Sequence, residues 1–180
     1  MDSVRSGLIV EIPEAEPAVA EPRHRLDRVA ALGVPAHVTA LFPFVRPDTI
    51  QPATLRRVCE TAAAVAPFDY RFARTAWFAK EVLCLVPDRP EPFAELTGRL
   101  WATFPDCPPY GGQFDEVVPH LTIGQGADLR ELLGAEAAVL SHGPVEGRAR
   151  RLTLMTEGID GHWSRLGFCV LGDNAGFQPI

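Results

Sequence analysis

Two short segments of this chain repeat one pattern, and that repeat constrains the fold more than any other feature. His37 lies in Val34-Pro35-Ala36-His37-Val38-Thr39-Ala40-Leu41-Phe42, and His120 in Val117-Val118-Pro119-His120-Leu121-Thr122-Ile123-Gly124. Each copy has a proline just upstream, an apolar residue after the histidine, a threonine two positions on and a further apolar residue. The copies lie roughly half a chain apart, the mark of an internal duplication. In an extended strand, residues i and i+2 share a face. His37 then points with Thr39 and His120 with Thr122, while Val38, Ala40, Leu121 and Ile123 turn to the core. Two such strands brought together would line one pocket with two imidazoles and two hydroxyls.

The rest of the chain supplies elements to hold those strands. Strands are expected at Gly7 to Ile12, Ala36 to Phe42, Phe68 to Ala79, Val82 to Val86, Val117 to Ile123, Arg148 to Met155 and Trp163 to Leu171. Helical patterns cover part of Pro13 to Arg28, then Thr49 to Ala66 and Phe93 to Phe104. A short helix capped by Asp128 runs to about Ala138. Pro105 to Gly112 (PDCPPYGG) is too rich in proline and glycine for regular structure. Helices and hairpin-like strand pairs in this order predict an α+β protein with antiparallel or mixed sheets, not a doubly wound parallel one. No G-x-G-x-x-G follows a strand and no phosphate-binding Walker loop is present.

At 180 residues and 47% hydrophobic, the chain has the size and composition of one ordinary globular domain. The net charge of −6 argues against a surface built for long duplex nucleic acid. A local pocket for a small nucleotide or a short RNA end remains open. The densest basic run, Gly147-Arg148-Ala149-Arg150-Arg151, reads either as a solvated strand edge or as a phosphate contact. No stretch approaches the roughly 20 apolar residues of a membrane span, and the N-terminus does not read as a signal peptide. Cys59, Cys84, Cys107 and Cys169 show no metal or redox spacing. They read as reduced thiols, with Cys84 and Cys169 buried, which implies a cytoplasmic protein. A monomer is the default expectation.

Paired imidazoles and hydroxyls point to a particular chemistry. A neutral imidazole can take a proton from an attacking hydroxyl or water, and an imidazolium can protonate the leaving oxygen. Imidazole titrates near 6.5, so both forms are accessible. The threonine hydroxyls can donate hydrogen bonds to phosphoryl oxygens. Such a pocket would cleave or form a phosphodiester with no metal and no cofactor. The tripeptide alone is a weak signal, because His162-Trp163-Ser164 also matches it. That third copy follows an Asp-Gly turn and lacks the apolar strand context. Three other readings stand beside this one. The histidines could be structural. Asp115 and Glu116 with His120 could hold a metal. The pocket could bind without reacting.

The two segments resemble the paired H-x-T motifs of the two-histidine (2H) phosphoesterases, in particular the 2′-5′ RNA ligase-like branch. The early strand, AHVTALFPF, PPYGG and VVPHLTIG come in that family's order. The resemblance implies a single bilobal domain over residues 1–180, with two pseudo-symmetric lobes facing across a central cleft. The lobes are expected near 1–86 and 87–180. It also implies His37 and His120 as the catalytic pair, with Thr39 and Thr122 binding phosphate. The expected substrate is a 2′,3′-cyclic phosphate or related phosphodiester, and 2′-5′ ligation is the reverse reaction. For the rest of the ligand, Tyr110 and Phe44 are the favoured stacking candidates, ahead of Phe42 and Trp163. Arg46 and Arg150 are candidate charge partners.

Overall fold

The computed structural model describes residues 5–114 and 117–180. The extended segments at the two motifs fall in two different sheets. The first sheet contains β1 (Ser6–Glu11), β2 (His37–Leu41), β7 (Arg151–Glu157), β8 (Trp163–Val170) and β9 (Gln178–Pro179), in the order β2-β1-β7-β8-β9. The second contains β3 (Phe68–Phe78), β4 (Val82–Pro87), β5 (Leu121–Gln125) and β6 (Val145–Ala149), in the order β5-β4-β3-β6. All strand pairs in both sheets are antiparallel. With helices α1 (Glu16–Leu26), α2 (Arg28–Ala31), α3 (Pro52–Ala63), α4 (Glu91–Thr103) and α5 (Leu129–Ser141), this is an α+β fold.

The sheets do not divide at residue 86. The first takes both ends of the chain and the second takes its middle. The crossover back lies inside the segment expected as one strand from Arg148 to Met155. Its first residues close the second sheet as β6, and Arg151 opens β7 in the first. An unbroken extended run carries no mark of a change of sheet, so periodicity alone cannot locate the switch. Arg150 sits exposed at that switch, its carbonyl accepting from the Leu171 amide.

The helices are exchanged between the sheets. α1 joins β1 to β2 of the first sheet, yet packs on β5 of the second. α4 joins β4 to β5 of the second sheet, yet packs on β2 of the first. Each motif strand is thus backed by the helix that the other sheet's connection supplies. The approach is close at Gly124 on β5. A Cβ there would lie 2.7 Å from Leu26 Cβ of α1 and 3.0 Å from Leu132 Cδ2 of α5. Glycine's missing side chain lets both helices sit against the strand.

Buried stripes explain why these helices form. α1 buries Ala18, Val19, Pro22, Arg23 and Leu26, spaced at helical periodicity. Arg23 is a charge in that stripe, and it is matched. Its guanidinium donates to Asp27 Oδ2 at 2.9 Å and 3.2 Å, and both side chains are about 2% exposed or less. Asp27 in turn caps α2 by accepting from the Val29 amide. Asp128 caps α5 as expected, accepting from the Arg130 amide at 2.8 Å.

One cysteine expectation is overturned. Cys59 on α3 and Cys169 on β8 form a disulfide, with Cα atoms 5.1 Å apart. The pair is 110 residues apart in sequence. Its signal lies in the packing of α3 on β8, which spacing does not reveal. Cys84 and Cys107 are free thiols, Cys84 buried and raised by burial to about 11. Reduced thiols therefore no longer argue for the cytoplasm. Among the described residues, no helix is long and apolar enough to cross a membrane.

Candidate active site

The motif strands β2 and β5 are each the outer strand of their own sheet, and they contact one another. That placement makes a cleft of about 550 Å³ whose lining includes His37, Thr39, His120 and Thr122. The strand alternation holds in both copies. Val38, Ala40, Leu121 and Ile123 are buried at 4% exposure or less, while the histidines and threonines are only partly buried. One boundary differs: β5 begins at Leu121, so His120 stands just before its strand, whereas His37 opens β2.

The two imidazoles are held alike. His37 Nδ1 lies 2.7 Å from the carbonyl oxygen of Pro35, and His120 Nδ1 lies 2.7 Å from that of Val118. A carbonyl only accepts, so each Nδ1 carries the proton in the neutral ring. Each Nε2 then keeps its lone pair. The same bond to the residue two positions upstream recurs in both motifs. This is how one local sequence pattern produces two equivalent imidazoles.

Their environments set them apart. Burial is the main influence that lowers the His37 pKa, and the Arg23 charge adds to it. Its bond to the Pro35 carbonyl and the Glu11 carboxylate oppose the shift, and the balance lies at about 4. Glu11 is the registry partner of His37 across β1 and β2. It is held by Arg165 at 2.7 Å and 2.9 Å and by Thr153 at 2.9 Å. His120 is also lowered by burial, less strongly, and its bond to the Val118 carbonyl opposes that. His37 is the more firmly neutral ring at pH 7, and His120 takes up a proton more readily.

Tyr110 joins the two motifs. It stands at the end of PDCPPY with φ of 52°, followed by Gly111 and Gly112 at 65° and 74°. A tyrosine in that left-handed conformation is strained, and two glycines allow the turn to finish. Its amide donates to the Phe42 carbonyl just after β2. Its ring lies nearly parallel to that of His120, with centroids 6.4 Å apart. Tyr110 and Thr39 both line the cleft, and burial raises the pKa of Tyr110, so the phenol stays protonated.

The other expected ligand contacts part company. Phe44 is 6% exposed and packs edge-on against Phe104, 5.0 Å between centroids. Its ring is in the core and offers no face to a ligand. Arg46 is outside the cleft lining and paired with Asp48 at 2.9 Å. Arg150 is outside it too, at the crossover between sheets. Neighbouring Arg148 is on edge strand β6 and paired with Asp69. Only the β6 part of the basic run is a solvated edge, since Arg151 opens the inner strand β7. Phe42 and Trp163 do line the cleft, together with Val118 of the second motif and with Arg5, Phe78, Phe114 and Met155, for which no motif gave a signal. Arg5 bonds Glu157 through two nitrogens at 2.7 Å each and lies 5.7 Å from the rings of both Phe42 and Trp163. Among the described residues no group of three or more His, Cys, Asp or Glu is placed to hold a metal. Asp115 and Glu116, the carboxylates considered for that role, lie outside the described residues.

Comparison with known proteins agrees with this fold. The TT0787 protein of Thermus thermophilus has a similar fold, with a TM-score of 0.65 and 22% identity over 93% of this chain and 98% of that one. LigT of E. coli, solved with 3′-AMP, superposes with a TM-score of 0.58 and 14% identity, covering 94% of this chain and 98% of that one. LigT solved with NADP+ gives 0.59 and 16% identity over the same shares. No curated protein matches the chain in sequence. The family description of the 2′-5′ RNA ligase superfamily matches residues 12–160. That match covers both motifs and most of the chain, so this protein belongs to the 2′-5′ RNA ligase superfamily, the 2H phosphoesterases.

Proposed function

We propose that this protein is a metal-independent phosphoesterase that hydrolyses a 2′,3′-cyclic phosphate, or a related phosphodiester, of a small nucleotide or RNA end. The observation that carries this reading is the pair of imidazoles facing one cleft, each fixed in the same tautomer by the carbonyl two residues upstream. In hydrolysis, neutral His37 takes a proton from the attacking water at Nε2 as the oxygen–phosphorus bond forms. The bond from phosphorus to the leaving ribose oxygen breaks, and protonated His120 gives that oxygen its proton. The products are a phosphomonoester and a free hydroxyl. Thr39 and Thr122 donate to the non-bridging oxygens. Each proton-transfer partner contributes about 10²–10⁴ in rate. With a 5′-hydroxyl in place of water as nucleophile, the same proton transfers would open the cyclic phosphate with loss of the 3′ oxygen and join two ends by a 2′-5′ bond.

Known structures of the fold with 3′-AMP and NADP+ support a nucleotide-sized ligand. A non-catalytic nucleotide binder on this fold is the alternative, since a fold does not fix an activity. Steady-state cleavage of 2′,3′-cyclic mononucleotides with and without EDTA separates these readings. Turnover unchanged by EDTA is expected. Loss of turnover with EDTA would indicate a metal enzyme, and binding without turnover would indicate the binder.

A further inference from the structure

The walls around the histidines and threonines are apolar. Phe42, Met155 and Trp163 come from the first sheet's side, and Phe78, Phe114 and Val118 from the second's. Two of these are solvent-exposed, Phe114 at 61% and Val118 at 42%, so the molecule keeps large apolar groups open to water beside its cleft. The cleft volume suits a ligand of drug or mononucleotide size.

The charges in the lining are already matched. Apart from the histidines, the charged residues lining the cleft among those described are Arg5 and Asp27. Arg5 is held by both carboxylate oxygens of Glu157, and Asp27 by Arg23. The residues outside the described set contain no lysine or arginine, and the whole chain carries −6. A polyanion needs several cations along its path, one for each phosphate it neutralises. A single phosphodiester needs only the histidine and threonine floor.

We propose that the substrate is a compact phosphodiester with one negative charge and one apolar, ring-bearing substituent. It is a nucleoside cyclic monophosphate or smaller, and a polyanionic oligonucleotide is a poor substrate. This rests on the phosphoesterase reading above and narrows it. The apolar walls take the substituent while the imidazoles and threonines take the phosphate. Charge repulsion and the unmatched phosphates exclude the longer chain.

The test compares adenosine 2′,3′-cyclic phosphate with an eight-nucleotide RNA ending in the same cyclic phosphate, at low and moderate salt. The expected result is a kcat/KM at least about tenfold higher for the mononucleotide. The octamer's KM should depend on salt no more steeply than one phosphate contact requires, a log–log slope of about 0.7 or less. An octamer that is cleaved as well or better, with a slope matching three or more phosphates, overturns the proposal. Phe114→Arg adds a cation at an exposed position. It should raise octamer cleavage severalfold at low salt and weaken the mononucleotide, and no change in either would remove the wall from recognition. Binding of both ligands to a His37→Ala/His120→Ala double variant, read by fluorescence polarisation, measures the preference without turnover. A mononucleotide preference in binding with no wild-type turnover would sink the phosphoesterase reading alone. Octamer preference with normal turnover would sink the size and charge limit alone.

Discussion

The depressed pKa of His37 can be turned into a rate profile. With a value of about 4, only about one molecule in 10³ carries an imidazolium at position 37 at pH 7. His37 is then ready as a base over nearly the whole accessible range, and its protonation should cut kcat/KM only near pH 4. The falling limb belongs to His120, which must hold a proton to serve as acid and whose pKa lies below 6.5. The kcat/KM of free enzyme and substrate should therefore peak between about pH 4 and 6.5. By pH 8.5 it should be down by at least about 10² from the peak. A bound anionic phosphodiester favours both imidazoliums, so the kcat profile should lie at higher pH than the kcat/KM profile. Initial rates with a 2′,3′-cyclic mononucleotide, from about pH 3.5 to 9 at constant ionic strength, would trace both. Proton NMR of the imidazole C–H signals, assigned with His37→Ala, would place the His37 midpoint directly. A kcat/KM that rises or stays level from pH 6 to 9, with chemistry limiting, would refute the assignment. So would a His37 midpoint at 6.5 or above.

Three further consequences concern side chains that support the site. Tyr110→Phe removes the hydroxyl beside Thr39 but keeps the ring against His120. It should lower kcat about tenfold or less and leave the melting temperature nearly unchanged, and an unaltered kcat would mean that the hydroxyl does not position Thr39. Arg23→Met leaves the Asp27 carboxylate buried with only its cap to the Val29 amide. This should cost about 3–5 kcal/mol, or roughly 6–20 °C in Tm, and it removes a charge that lowers the His37 pKa. A Tm within 2 °C of wild type would show that the pair is not buried as described. Breaking the Cys59–Cys169 bond by Cys59→Ala should cost about 2–4 kcal/mol, visible as a lower midpoint in urea for the variant and for reduced wild type. Equal midpoints for oxidised and reduced protein would mean the bond does not form in solution.

How much of this was legible in the sequence depends on whether the information was local. The alternation of His37, Thr39, His120 and Thr122 against buried Val38, Ala40, Leu121 and Ile123 is a period-two signal that needs no knowledge of the rest of the fold. The Asp128 cap and the hairpin from β3 to β4 were readable for the same reason. That hairpin turns at Ala79 and Lys80, both at positive φ, one residue earlier than expected. Phe44 stands only two residues beyond Phe42, yet one ring is in the core and the other in the cleft. The chain changes direction between them, and proximity to a motif does not give orientation. The exchange of α1 and α4 between sheets, the switch at Arg150 and the Cys59–Cys169 bond are all long-range. Each depends on which surfaces meet, and no residue type or spacing announces it. The apolar cleft wall was hidden in the same way, because its members come from segments scattered between Arg5 and Trp163.

The central claim is that two imidazoles act together on one phosphodiester. Its most direct test is the kcat/KM of His37→Ala, His120→Ala and the double variant on a 2′,3′-cyclic mononucleotide in EDTA, with folding checked by circular dichroism. Each single substitution should lose about 10²–10⁴. The double should lose far less than the product of the two, because a proton-transfer pair fails as a unit. Either single variant folded and active within tenfold of wild type would contradict the account.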